Sequence, residues 1–199
     1  MKMNENLKRV AFLLVSLAST STSVHAEAGA PSRPFFAQLV LQGVTFQVES
    51  PNDRSINQVK VRAQVAETTI GEYDVEAEGA ITGVEVEDLN ADGAPEIYVY
   101  VTSSGSGSYG SLIAFASNSN RSITPITLPS LEDEDAAVTK GYMGHDKFHV
   151  GEGTLLRRFS VYREGDINSK PTGGTRQIQY KLKACEAGWV LRKDRVVEF

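Results

Sequence analysis

The stretch Gln58-Val59-Lys60-Val61-Arg62-Ala63-Gln64-Val65 alternates without a break. Val59, Val61, Ala63 and Val65 fall on one side, and Gln58, Lys60, Arg62 and Gln64 on the other. A period of two marks a strand with one dry face and one wet face. The pattern spreads in both directions. Upstream, Phe35-Phe36-Ala37-Gln38-Leu39-Val40-Leu41 and Val44-Thr45-Phe46-Gln47-Val48 read as β-like runs about Gln42-Gly43, with a turn cluster at Ser50-Pro51-Asn52-Asp53. Downstream, strand-like runs recur around Tyr73, Val84, Val99, Ile113, Ile123, Phe148, Leu156 and Tyr180. The chain closes on a last expected strand pair, Trp189-Val190-Leu191 and Arg195-Val196-Val197-Glu198-Phe199. Only the acidic segment from Leu131 to Val138 reads as a short helix. Short strands joined by Gly, Asn and Pro turns predict an all-β, antiparallel fold, a β-sandwich-like or strongly curved sheet. Trp189, Tyr180 and Phe199 are expected in its core, with Arg157, Arg158, Arg176, Lys181 and Lys183 as strand-face charges.

The N-terminus has a different character. Lys2, Lys8 and Arg9 lead into the apolar run Val10 to Ala18, and Val24-His25-Ala26 approximates a small-x-small cleavage pattern. This predicts a secretory signal peptide over 1–26, too short in its apolar part to anchor in a membrane. A mobile leader over 27–34 and a single β domain over 35–199 follow from the same reading. Removing three cations and one anion with the signal takes the formal charge from -5 to -7. An acidic exported chain lacks the basic footprint that nucleic acid needs, and suits a cationic partner instead. Cys185 is the only cysteine, so no internal disulfide forms and the core must hold the fold.

Three groups of residues invite a chemical reading. Asp88-Leu89-Asn90-Ala91-Asp92-Gly93-Ala94-Pro95-Glu96 spaces oxygen-bearing side chains like the first half of a calcium loop, although an EF-hand would need its last acid at Val99. The same residues also suit a solvated turn between strands. His145, Asp146 and His149 form the only histidine group after the signal, and a Ser-His-Asp set can be written with the serines nearby. No nucleophile elbow accompanies them, so neither a catalytic set nor a cofactor is expected. The third group is Thr102-Ser103-Ser104-Gly105-Ser106-Gly107-Ser108-Tyr109-Gly110, between two apolar runs. Its composition suits first a flexible hairpin connection, although its small residues also let the backbone approach a partner closely.

Asp88-Leu89-Asn90, Asp92-Gly93 and Pro95 to Ser103, followed by Gly105-Ser106-Gly107-Ser108-Tyr109-Gly110-Ser111-Leu112, resemble the periplasmic inhibitors of invertebrate-type (i-type) lysozyme. Gly141-Tyr142-Met143-Gly144-His145-Asp146, Arg157-Arg158-Phe159, Pro171-Thr172-Gly173, Gln179-Tyr180-Lys181-Leu182 and Glu186 to Leu191 continue the resemblance in order. Residues 50–80 resemble the family least, and Cys185 is not one of its features. The resemblance implies a periplasmic protein that blocks a lysozyme and performs no catalysis. It assigns the cleft-entering loop to Ser104, Gly105, Ser106, Gly107, Ser108 and Tyr109. It also implies a homodimer. A calcium-stabilised binding or adhesion module centred on Asp88, Asn90 and Asp92 is the alternative from another class.

Overall fold

The computed structural model describes residues 22–25 and 33–199. Most of the expected signal peptide and leader therefore lies outside the described residues. The exceptions are the β1 strand (Thr22–His25) and Arg33-Pro34. β2 (Phe35–Leu41), β3 (Val44–Ser50), β4 (Asn57–Val65) and β5 (Thr68–Ala77) form a four-stranded antiparallel meander. The alternating stretch is β4, and Val59, Val61 and Ala63 are fully buried as its pattern requires.

The second sheet begins with β6 (Ala80–Glu87), β7 (Glu96–Thr102), β8 (Gly110–Asn118) and β9 (Ser122–Thr127). A single 3-10 turn (Leu131–Asp133) and the four-residue α1 (Ala136–Thr139) occupy the acidic segment, where the short helix was expected. β10 (Lys147–Gly151), β11 (Thr154–Ser160), β12 (Thr175–Cys185) and β13 (Gly188–Glu198) complete it. The strand order is β1-β6-β7-β8-β9-β13-β12-β11-β10. The sheet curls until β10 returns against β6, which makes it barrel-like. No ladder joins these two strands. Instead the buried Glu85 carboxylate accepts the Val150 N–H at 2.7 Å, the Tyr100 hydroxyl, and a bond with His149 Nδ1 at 2.8 Å. One carboxylate thus replaces the missing ladder at the seam.

β7 organises both cores. Ile97, Val99 and Val101 pack toward the four-stranded sheet with Phe46, Val61 and Phe115. Tyr98 and Tyr100 point the other way, into the curled sheet, with Leu155, Phe159, Ile178 and Leu191. Burial on both faces explains why β7 is a continuous apolar run rather than an alternating one. Each such side chain contributes about 1.5–3 kcal/mol by leaving water.

Four expectations need correction. The sheet is not wholly antiparallel, because β13 runs parallel to β9 at Trp189↔Ile126 and Val190↔Thr127. The expected last strand pair is one strand: Gln179 faces Arg195 while Tyr180 faces Lys193, so Asp194 is absorbed as a bulge. Phe199 is 72% exposed, since the strand ends at the sheet's rim, while Tyr180 is buried as expected and Trp189 is half-buried. Arg157 and Arg176 are buried rather than face charges. Arg176 donates to the Val138 and Lys140 carbonyls and to Glu198, which gives its inward guanidinium the partners it needs.

Candidate functional site

The glycine-serine loop is held from several sides, and the flexible-connection reading does not describe it. Within the loop, Ser103 N–H donates to the Tyr109 carbonyl at 2.9 Å, and Tyr109 N–H donates back to Ser103 Oγ at 2.9 Å. Ser108 N–H closes a turn on the Gly105 carbonyl, with Ser108 at φ 43°. From outside, His145 N–H donates to the Gly107 carbonyl at 2.7 Å, and Asn168 Nδ2 donates to the Ser106 carbonyl at 2.7 Å. The approach of residues 144–145 is close: a Cβ on Gly144 would lie 2.1 Å from the Gly107 oxygen, at a φ of +87°. Only glycine fits there.

Beneath the loop lies a buried ionic knot. Arg157 Nε donates to Asp146 Oδ1 at 2.7 Å, with the two side chains 7% and 0% exposed. Asp146 Oδ2 accepts the Gly110 N–H at 2.8 Å and the Tyr142 hydroxyl at 2.6 Å, while Arg157 Nη2 donates to the Tyr142 oxygen at 2.9 Å. Burial works against the Arg157 charge, but Asp146 outweighs it and holds the guanidinium above its ordinary pKa. Burial, then the Asp146 hydrogen bond, raises the Tyr142 hydroxyl, which stays a donor. Tyr142 meets Tyr109 edge-on at 5.8 Å between centroids. The loop therefore rests on a base fixed to β8 and β11.

What the loop offers outward is equally specific. Ser104, Ser106 and Tyr109 are exposed, and Gly107 and Ser108 half-buried. Among the described residues no hydrogen bond engages the hydroxyls of Ser104, Ser106 or Ser108. Tyr109 is 52% exposed. Met143 at 40% and Ile167 at 64%, each next in sequence to a residue that holds the loop, add apolar surface.

Other sequence candidates sort differently. His145 Nε2 lies 2.9 Å from Asn168 Oδ1, Asp146 is committed to Arg157, and His149 pairs with Glu85. The Ser-His-Asp set written from the sequence does not assemble among the described residues. The structure gives His145 and Asp146 the task of holding the loop. Asn168 carried no signal in the sequence, sitting in a Pro- and Gly-containing loop. Asp146 was singled out only as part of a Ser-His-Asp set, and Tyr142 only within the resemblance, neither as a support for the loop.

At the other end of β7, Asp88 organises the β6–β7 loop. Its oxygens accept the Asp92 and Gly93 N–H groups at 3.0 and 2.9 Å, and Gln42 Nε2 at 2.7 Å. Glu96, fully buried, accepts the Leu89 N–H at 2.8 Å through Oε2. Burial, reinforced by the charges of Asp88 and Asp92 and opposed by that hydrogen bond, pushes the Glu96 carboxyl up to about 8. Asp88, Asp92 and Glu96 are the described residues whose carboxylates could together hold a metal ion. No known protein family, curated protein or solved structure matches the chain.

Proposed function

We propose that this protein is a periplasmic inhibitor of i-type lysozyme that enters the enzyme's cleft with the 103–110 loop. One observation carries the reading: the loop's backbone is held by His145 and Asn168 while Ser104, Ser106 and Tyr109 stand exposed. A loop already fixed in shape loses little conformational entropy on binding, which favours affinity. Lysozymes cleave with two carboxyl groups in a groove. Serine hydroxyls can donate to such carboxyls, and a half-exposed tyrosine supplies an amphipathic anchor. The formal charge of -5 favours encounter with a cationic enzyme. Two of the stretches that carry the resemblance, 103–110 and 141–146, lie apart in sequence and meet here through Gly107 and Gly110. Inhibition requires no bond to be broken, so the reading assigns the protein no catalysis of its own.

Titration of purified i-type lysozyme with the protein tests this. Stoichiometric inhibition is expected, with Ser106→Ala and Tyr109→Ala each weakening it by about 2 kcal/mol, roughly thirtyfold. Full potency in the double variant would remove the loop from the interface. Absence of inhibition across i-type lysozymes would remove the function.

A further inference from the structure

The β6–β7 loop contains a polar atom that the protein leaves unsatisfied. Glu96 is 0% exposed, and its Oε1 has no hydrogen-bond partner. Its other oxygen takes the Leu89 N–H and, at 3.3 Å, the Tyr98 hydroxyl. A buried carboxylate oxygen without a donor is costly, and folded proteins keep one chiefly where something else satisfies it. Here two more carboxylates lie in reach: one oxygen each from Asp88, Asp92 and Glu96 falls within a 4.8 Å span. Three converging carboxylates repel one another, and a proton on one of them or a cation between them relieves the repulsion.

We propose that the β6–β7 loop binds a calcium ion between Asp88, Asp92 and Glu96, with Asn90 as a fourth side-chain ligand. The donor chemistry selects the ion. All the groups are oxygens, with no sulfur or imidazole among them, which favours a hard cation over zinc or copper. Three carboxylates and an amide on a loop exceed what magnesium ordinarily takes from protein, since magnesium keeps most of its water. The spacing is that of a calcium loop through its first three ligands, with the acid at Glu96 closing a shorter circuit than an EF-hand. Asn90 already lies in the cluster, its Nδ2 donating to Asp92 Oδ2 at 2.8 Å. Turning that amide over would give up the bond from the Asp92 N–H to its Oδ1, at 3.2 Å, leave that N–H to Asp88, and present the oxygen to the same space. The bonds of Asp88 to Asp92, Gly93 and Gln42 occupy both lone pairs of Oδ2 and one of Oδ1, which leaves one on Oδ1 and holds the carboxylate in place beforehand. The ion would fix the turn between β6 and β7 and the first residue of β7.

Thermal unfolding of the full chain, freed of metal by chelator, is compared with and without added calcium. At a hundredfold excess over the dissociation constant the midpoint is expected to rise by about 5–10 °C. Asp92→Asn, exposed, and Glu96→Gln, isosteric, are expected to fold in chelator and to lose at least tenfold in calcium affinity by titration calorimetry. No calcium-dependent shift in the parent overturns the proposal. So does an equal shift in both variants, which marks general charge screening, or an equal response to magnesium. None of these outcomes depends on lysozyme binding.

Discussion

Two loops of almost equal length leave the ends of β7, eight residues toward β6 and seven toward β8. The strand between them spans about 20 Å. The β7–β8 loop is held from outside as well as from within: His145 and Asn168 reach it from far along the chain, and the Asp146 carboxylate takes the Gly110 N–H where it enters β8. The β6–β7 loop is held largely by itself, with Asp88, Asn90 and Asp92 folding back onto their own backbone. The first has outward hydroxyls free for a partner, and the second has an inward carboxylate oxygen without one. Glycine and serine content therefore says little about rigidity. What decides it is where the backbone hydrogen bonds go. A loop clamped by its neighbours can present a surface, whereas a loop wrapped around an unsatisfied acceptor is suited to hold something inside.

The comparison breaks most visibly at Asp146. Replacing it with Ala strands Arg157 in the interior and releases Gly110 and Tyr142 together. The expected loss is about 3–5 kcal/mol in urea unfolding, the cost of a buried charge without its partner. Asp92→Ala, measured in chelator, removes an exposed side chain bonded only within its own loop, and should cost about 1 kcal/mol or less. Equal losses at the two sites would mean that the β7–β8 loop gains nothing from its ionic base.

A pair of glycines sharpens the same contrast at lower energy. Gly144 and Gly93 share nearly the same backbone conformation, φ +87° and +83°. A Cβ at Gly93 meets nothing within 4 Å, whereas one at Gly144 meets the Gly107 carbonyl at 2.1 Å. Gly93→Ala should therefore cost only backbone strain, about 1 kcal/mol. Gly144→Ala adds a clash that pushes residues 144–145 off the loop, and about 2–3 kcal/mol is expected. Hydrogen exchange should then speed up at His145, whose N–H loses its acceptor on Gly107.

How far the sequence reaches is clear from the same residues. Strands with one wet face were legible because period two shows wherever the ladder is regular: β4 alternates from Asn57 to Ala63, and β12 from Ile178 to Lys183. Arg157 and Arg158 show the limit. Alternation puts them on opposite faces, but which face is inside depends on register with strands elsewhere, and Arg157 is the inward one. The seam at Glu85 is harder still, joining a carboxylate to an amide sixty-five residues away with no local pattern to mark it. Of the two loops, the spacing of Asp88, Asn90, Asp92 and Glu96 was visible because its chemistry is local. The clamp on residues 103–110 was not, because Gly144 and Asn168 come from other loops and only folding unites them.

The smallest change falls inside the presenting loop, and separates order from recognition. A Cβ at Gly107 would lie 2.4 Å from Cε2 and 3.0 Å from Cδ2 of the Tyr109 ring. The obstacle is a flexible side chain rather than backbone, so the ring can swing away. It would leave its edge contact with Tyr142, worth about 0.5–1.5 kcal/mol. Gly107→Ala should thus lower stability by no more than about that amount. Gly105 is the internal control: a Cβ there meets nothing within 4 Å, and Gly105→Ala should stay within about 0.5 kcal/mol of the parent. If Tyr109 anchors the proposed lysozyme complex, the two variants part in the inhibition assay. Gly105→Ala retains potency, while Gly107→Ala loses about tenfold because its tyrosine no longer points where the cleft needs it. Equal potency in both would place Tyr109 outside the contact and leave the exposed serines, Ser104 and Ser106, as the residues that meet the enzyme.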